Sequence, residues 1–144
     1  MKVTRSFPVN PPPEVVRAYL IDFAHAEQWD PGTRSCERID SGPVQVGARW
    51  HNVSQFLGRS AELTYTLIRA DSDRLVFAGV NDASTSRDDL RITPDAGGSR
   101  ITYSATITLR SRFRVVLEPL MKLPMRRIAD HTVERMATTL NGLS

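Results

Sequence analysis

Two periods of apolar residues divide the chain. From Thr33 to Leu109 apolar and polar residues alternate in steps of two, the mark of strands with one buried face. Gly47 to Phe56 puts Ala48, Trp50, Asn52, Ser54 and Phe56 on one face. Ala61, Leu63, Tyr65 and Leu67 follow the same rule, then Leu75, Phe77 and Gly79. In Ser84 to Thr93, Leu90 and Ile92 define a face that runs back through Asp88, Ser86 and Ser84. Ile101, Tyr103, Ala105, Ile107 and Leu109 alternate with Thr and Ser in the clearest strand of all. Lys2 to Val9 and Thr33 to Ile39 read as further strands. Turns are predicted at Ser41-Gly42-Pro43, Leu57-Gly58-Arg59, Asp71-Ser72-Asp73, Asn81-Asp82 and Pro94 to Gly98.

Near both ends the spacing changes to three and four. Asn10 before Pro11, Pro12 and Pro13 predicts a capped helix start. That helix runs to about Ile21, with Val15, Ala18, Tyr19 and Asp22 facing inward. A second short helix fits Ala24 to Gln28 and stops at Trp29-Asp30-Pro31-Gly32. From about Phe113 to Leu140, Leu117, Met121, Met125, Ile128, Thr132, Met136 and Leu140 mark one face of a long helix. Pro119 and Pro124 each remove a backbone donor, which predicts a stepped start and a regular helix from about Pro124.

Strands joined by short turns pair antiparallel. Their apolar face needs cover, and only the last helix is long enough to give it. The prediction is an α+β fold: a curved antiparallel sheet of about six to seven strands around a long C-terminal helix, with two short helices after strand one. A length of 144 residues suits one domain over residues 1–144.

Composition narrows the function. No run approaches the roughly 18 apolar residues of a membrane span, and the N-terminus lacks an apolar signal core. Cytoplasmic location is the expectation. Net charge is +3, and Arg supplies 17 of the 19 basic residues. Arg110, Arg112, Arg114, Arg126 and Arg127 gather near the last helix, but no aromatic–basic interleaving accompanies them, so no specific nucleic-acid partner is expected. His25, His51 and His131 fall on separate elements without ligand spacing, and no metal is expected. His131, near the edge of the helix face, is placed where it could touch a cavity. The lone Cys36 lacks the surroundings of a nucleophile and suits a small buried site.

Several local marks resemble the helix-grip superfamily of START, polyketide cyclase and birch-pollen-allergen-like proteins (SRPBCC). Tyr19-Leu20-Ile21-Asp22 leads to Gln28-Trp29-Asp30-Pro31. Gly47-Ala48-Arg49-Trp50 and Asp73-Arg74-Leu75-Val76-Phe77 open strands. Gly97-Gly98-Ser99-Arg100-Ile101-Thr102 precedes the last strand, and Leu117-Glu118-Pro119-Leu120 lies in the final helix. These are packing and turn marks, and the resemblance spans essentially the whole chain. It implies a cavity between sheet and helix, in a family that includes lipid carriers, hormone receptors, quinone-binding proteins and aromatase/cyclases.

The inward strand faces carry a polar minority: Asn52, Ser54, Tyr65, Ser86, Asp88 and Tyr103. Buried polar groups cost energy unless paired, so a cavity with polar anchors accommodates them better than a dry core. Trp50, Phe56, Leu63, Phe77, Leu90, Met121, Met125, Ile128 and Met136 are expected to supply its apolar lining. Trp29 gates the mouth or plugs the sheet. The expected function is carriage or sensing of a hydrophobic small molecule such as a lipid, quinone or polyketide-like compound, by a monomer or homodimer without a cofactor. The alternative is an aromatic polyketide cyclase/dehydratase using Asp88, Tyr65 and Tyr103. Against that, the neighbouring charges Arg87, Asp89 and Arg91 favour a rim position for Asp88.

Overall fold

Seven strands form a single antiparallel sheet in the order β1-β7-β6-β5-β4-β3-β2. They are β1 (Lys2–Val9), β2 (Thr33–Arg38), β3 (Arg49–Phe56), β4 (Arg59–Ala70), β5 (Arg74–Val80), β6 (Ser84–Asp95) and β7 (Gly98–Leu109). The computed structural model describes residues 1–56 and 58–143, so the predicted Leu57 turn residue lies outside the described residues. Every strand from β2 to β7 pairs with its neighbour in sequence, and β1 closes on β7 with Phe7 opposite Ile101. This is the antiparallel α+β arrangement that the alternation predicts, and the helix-grip fold that the resemblance implies.

The β6–β7 hairpin is tighter than its sequence suggests. Pro94 and Asp95 go on pairing, opposite Ser99 and Gly98. The turn itself is Ala96-Gly97, with φ of 49° and 87°. Two successive left-handed residues give the turn whose twist matches paired strands. Gly98 follows because a Cβ there would lie 2.3 Å from the Val9 carbonyl oxygen.

Between β1 and β2 run α1 (Pro13–Leu20), a 3₁₀ turn (Phe23–His25) and α2 (Ala26–Trp29). Asn10 is not the cap. Pro12 takes that position with extended backbone and no side-chain bond, and Pro13 opens the helix. The Asn10 N–H is instead held by Asn141 Oδ1 at 2.8 Å, which ties the end of β1 to the end of the chain. The inner face of α1 is Val16 and Leu20, whereas the expected Ala18 is exposed and Tyr19 half-buried. Phe23 then enters the core at 1% exposure. Its ring lies 4.4 Å from Phe77, 4.5 Å from Tyr65, 5.9 Å from Trp29 and 6.1 Å from Trp50. Asp22 fixes that turn: one oxygen accepts from Ala24 N at 3.0 Å and from Trp50 Nε1 at 3.1 Å.

The last helix, α3 (Arg114–Asn141), runs unbroken through Pro119 and Pro124, so the stepped start does not occur as a break. It packs on β1, β7 and α2. Its buried residues begin only at Met125 and continue with Ala129, Thr132, Met136 and Leu140. Leu117, expected on the inner face, is 40% exposed, and Val115 and Leu120 are more than 70% exposed. The spacing of apolar residues is right, but the first turns of α3 extend past the sheet and meet no facing layer. The clustered Arg110, Arg112, Arg114, Arg126 and Arg127 are all exposed.

Candidate functional site

The buried apolar residues do not form one cluster. The larger runs from Phe7 and Leu20 through Trp50, Phe77 and Ile101 to Leu140. A smaller one consists of Val3, Met125 and Ala129, with Met1, Phe56 and Ile107 against it. Between them lies a cavity of about 240 Å³. Val3, Met125 and Ala129 line one side, and Leu63, Tyr65 and Tyr103 of the larger cluster line the other. Strands β1, β3, β4, β6 and β7 supply the sheet side, and Met121, Met125, Ile128, Ala129 and Thr132 of α3 supply the helix side.

The polar groups of the cavity come as three anchored sets. In the first, Tyr103 Oη donates to Asp88 Oδ1 at 3.1 Å. Asp88 sits opposite Ala105, and Tyr103 opposite Leu90, so strand pairing sets the two on one face at a diagonal. Asp88 is buried, not on the rim as its charged neighbours suggested. Arg87 points outward, and Asp89 is taken by Arg74 through bonds of 3.1 and 2.6 Å. Burial first, and the charge of Asp30 second, push the Asp88 carboxyl up to about 7 against the bond from Tyr103. Burial and the Asp88 charge also drive the Tyr103 and Tyr65 hydroxyls well above the ordinary phenol value.

The second set is Tyr65 with Ser86. The Tyr65 hydroxyl donates to Ser86 Oγ at 3.2 Å. The ring is placed by Gly79 on β5, where a Cβ would lie 2.7 Å from the ring atoms. Gly79 pairs with both residues, opposite Tyr65 on β4 and Ser86 on β6. Only a residue without a side chain allows the ring to lie across β5 to reach Ser86.

The third set is centred on Asp30, which the sequence pattern marks only as a helix end. Its Oδ1 accepts from Gly32 N and its Oδ2 from Thr33 Oγ1, each at 2.9 Å. An Asp bonding to the two residues after a turn is a local motif that Asp-Pro-Gly-Thr favours. Thr33 in turn accepts from Asn52 Nδ2 at 3.2 Å, and Ser54 donates to Asn52 Oδ1. Burial raises the Asp30 pKa, against the bonds from Gly32 and Thr33 and the charge of Arg135.

Of the residues expected around a ligand, Phe56, Leu63, Tyr65, Ser86, Asp88, Tyr103, Met121, Met125 and Ile128 line the cavity. Trp50, Phe77, Leu90 and Met136 do not. They lie in the packed core at 0–1% exposure: Trp50, Phe77 and Leu90 on the inward sheet face under the covering helices, and Met136 on the second half of α3. Asn52 is a link between Thr33 and Ser54 rather than a wall residue. Trp29 is a plug, 1% exposed and edge-on to Tyr103 at 6.0 Å. Its indole N–H has no hydrogen-bond partner among the described residues. His131 is exposed beside Glu134, 3.9 Å away, and does not reach the cavity. His51 pairs with Glu62 on the outer face, and His25 stacks on Tyr19 with its ring bonded to the Tyr19 carbonyl. Among the described residues no His, Cys, Asp or Glu cluster could hold a metal ion. Cys36 is buried with its thiol pushed up to about 12, chiefly by burial, which keeps it protonated. The wall residues missed in the sequence include Val3, Ala105, Ala129 and Asp30.

A curved antiparallel sheet gripping a long C-terminal helix over an internal cavity defines the START-like, helix-grip class (SRPBCC). The chain belongs to the family described as polyketide cyclase / dehydrase and lipid transport, whose model matches residues 1–141. A comparison with curated protein sequences finds no match. Among solved structures, a protein of Thermus thermophilus is similar with a TM-score of 0.81 at 17% identity, covering 97% of each chain. A START superfamily protein from Mycobacterium smegmatis has a TM-score of 0.80 at 13% identity over 99% of each chain. An aromatase/cyclase from a Streptomyces species has a TM-score of 0.70 at 14% identity, covering 94% of this chain and 93% of that one. At these identities the likeness is one of fold. No helix among the described residues is long and apolar enough to cross a membrane.

Proposed function

We propose that the protein carries or senses a small hydrophobic molecule held in the cavity between the sheet and α3. The observation that supports this reading most is the divided core. Natural interiors are packed to crystal density. About 240 Å³ left open between two apolar clusters forgoes contacts that a filled core would make. Membership of a family whose description includes lipid transport supports the same reading.

Titration with N-phenyl-1-naphthylamine, an uncharged apolar fluorophore, tests it. Saturable uptake by the protein is expected. Ala105→Phe, which turns a half-buried strand residue of the cavity wall into a ring, should weaken it at least about tenfold. Native mass spectrometry should show one probe molecule per chain. Failure to saturate, or uptake unaltered in Ala105→Phe, would remove this reading.

The Tyr103–Asp88 bond favours a second reading, catalysis of cyclisation or dehydration. A carboxyl that titrates near neutrality in a cavity can both take and give a proton. On this reading Asp88 is the acid–base group, Tyr103 orients it, and Tyr65 holds a substrate oxygen. Asp88→Asn would then lower turnover of a poly-β-keto substrate at least about a hundredfold, while probe uptake persists. Equal turnover in the variant counts against the assignment.

A further inference from the structure

The cavity wall carries charge of one sign. Asp30 and Asp88 are its ionisable carboxyls, and no Lys, Arg or His is among the described residues that line it. This is uncommon in a chain with net charge +3. Two cations act from outside the wall: Arg135, exposed and bonded to the Glu27 carbonyl at 3.4 Å, lowers the Asp30 pKa, and Arg34 bonds to the oxygen of the wall residue Gln55. The other polar side chains are the amide of Gln55, whose oxygen accepts from Arg34, and the hydroxyls of Tyr65, Tyr103, Ser54, Ser84, Ser86 and Thr132. Thr132 is spent on the Ile128 carbonyl at 2.8 Å, and Tyr65 and Tyr103 already donate within the cavity.

We propose that this cavity selects apolar ligands with a hydrogen-bond-donating, non-anionic head, an alcohol or an amine, and rejects carboxylates and phosphates. The inference rests on the ligand-binding reading above and specifies the ligand that reading leaves open. Its basis is a count of unmet acceptors. Tyr103 serves one Asp88 oxygen, and among the described residues nothing donates to the other. A hydroxyl or ammonium donor meets that acceptor. An anionic head meets two carboxyls in a poorly solvated space with no cation on the wall to answer it, and like charges there repel strongly. The apolar body of the ligand lies against Val3, Phe56, Ile107, Met121 and Met125.

Displacement of bound N-phenyl-1-naphthylamine by three ligands with one shared chain, 1-decanol, decylamine and decanoate, tests the proposal at pH 8. Decanol and decylamine should each displace the probe at concentrations at least about tenfold lower than decanoate. In Asp88→Asn the gap between decanol and decanoate should narrow, because one of the two repelling charges is gone. Decanoate competing as well as decanol in the unaltered protein overturns the proposal and leaves the ligand-binding reading standing. So does a gap that Asp88→Asn fails to narrow, since the discrimination would then have another source. Absence of saturable probe uptake in the first place removes the underlying reading, and the proposal with it.

Discussion

Phe23→Ala should destabilise the protein by about 3–5 kcal/mol, the range for removing a fully buried aromatic ring. Few substitutions in the chain should cost more. The ring packs against four others: Trp29 on α2, and Trp50, Tyr65 and Phe77 on three neighbouring strands, β3, β4 and β5. Truncation leaves a void that these neighbours cannot close, because Trp50 is fixed by Asp22 and Tyr65 lies pinned across Gly79. The loss is a fifth or more of the stability typical of a domain. Urea denaturation at constant slope measures it as a fall in midpoint. Phe113→Ala provides the contrast. Phe113 is 57% exposed, and its loss should change stability by no more than about 0.5 kcal/mol. Similar midpoints for the two variants would show that Phe23 is not the centre of the core.

The second large effect has the opposite sign. Asp88→Asn should stabilise the protein in alkaline solution. The unfolded Asp88 loses its proton near 3.8 and the folded one near 7. Between those values the folded state holds a proton that the unfolded state has released. Stability therefore falls as pH rises through this window, and the cost is complete above about 7. Its upper limit is about 4 kcal/mol. Asparagine keeps an oxygen for the Tyr103 hydroxyl and carries no charge to bury, so the variant escapes the cost. Urea midpoints should coincide near pH 4, diverge towards pH 8, and favour the variant. Asp30, whose pKa burial also raises, remains in the variant and leaves a shallower slope of the same sign. Parallel curves for the two proteins would mean that Asp88 is not held in its protonated form by folding.

The alternation of strands β3 to β7 was legible because each strand has one dry face, and a period of two reports a face directly. It does not report which element covers which part of that face. Trp50 and Leu63 are both inward, yet Trp50 packs under the 3₁₀ turn and Leu63 lines the cavity. The same limit explains why Phe77 and Leu90 were expected on the wall: a cavity is defined by what the covering helices leave open, and that is a tertiary property. Phe23 escaped notice because a three-residue turn between two helices has no period. Asp30 escaped because a carboxylate in Trp-Asp-Pro-Gly resembles any other turn residue until its partners are placed. Extending the Leu90 and Ile92 pattern places Asp88 on the inward face, where the structure has it. Its burial is harder to read, because Arg87, Asp89 and Arg91 alternate onto the other side of the sheet.

The continuous α3 carries a consequence for how the cavity can be entered. Its second half is anchored by Met136 and Leu140 in the larger core. Its first turns, from Arg114 to Leu120, are largely exposed, and Pro119 and Pro124 leave the carbonyls of Val115 and Leu120 without their helical donors. Local free energy of opening therefore falls along the helix towards Arg114. Unwinding the first two or three turns breaks few bonds, uncovers little apolar surface that is not already wet, and leaves every strand pair intact. It also carries Met121 away from the cavity wall. On the ligand-binding reading, entry at this end needs only a short length of proline-weakened helix to unwind, and the sheet that shapes the site does not have to breathe.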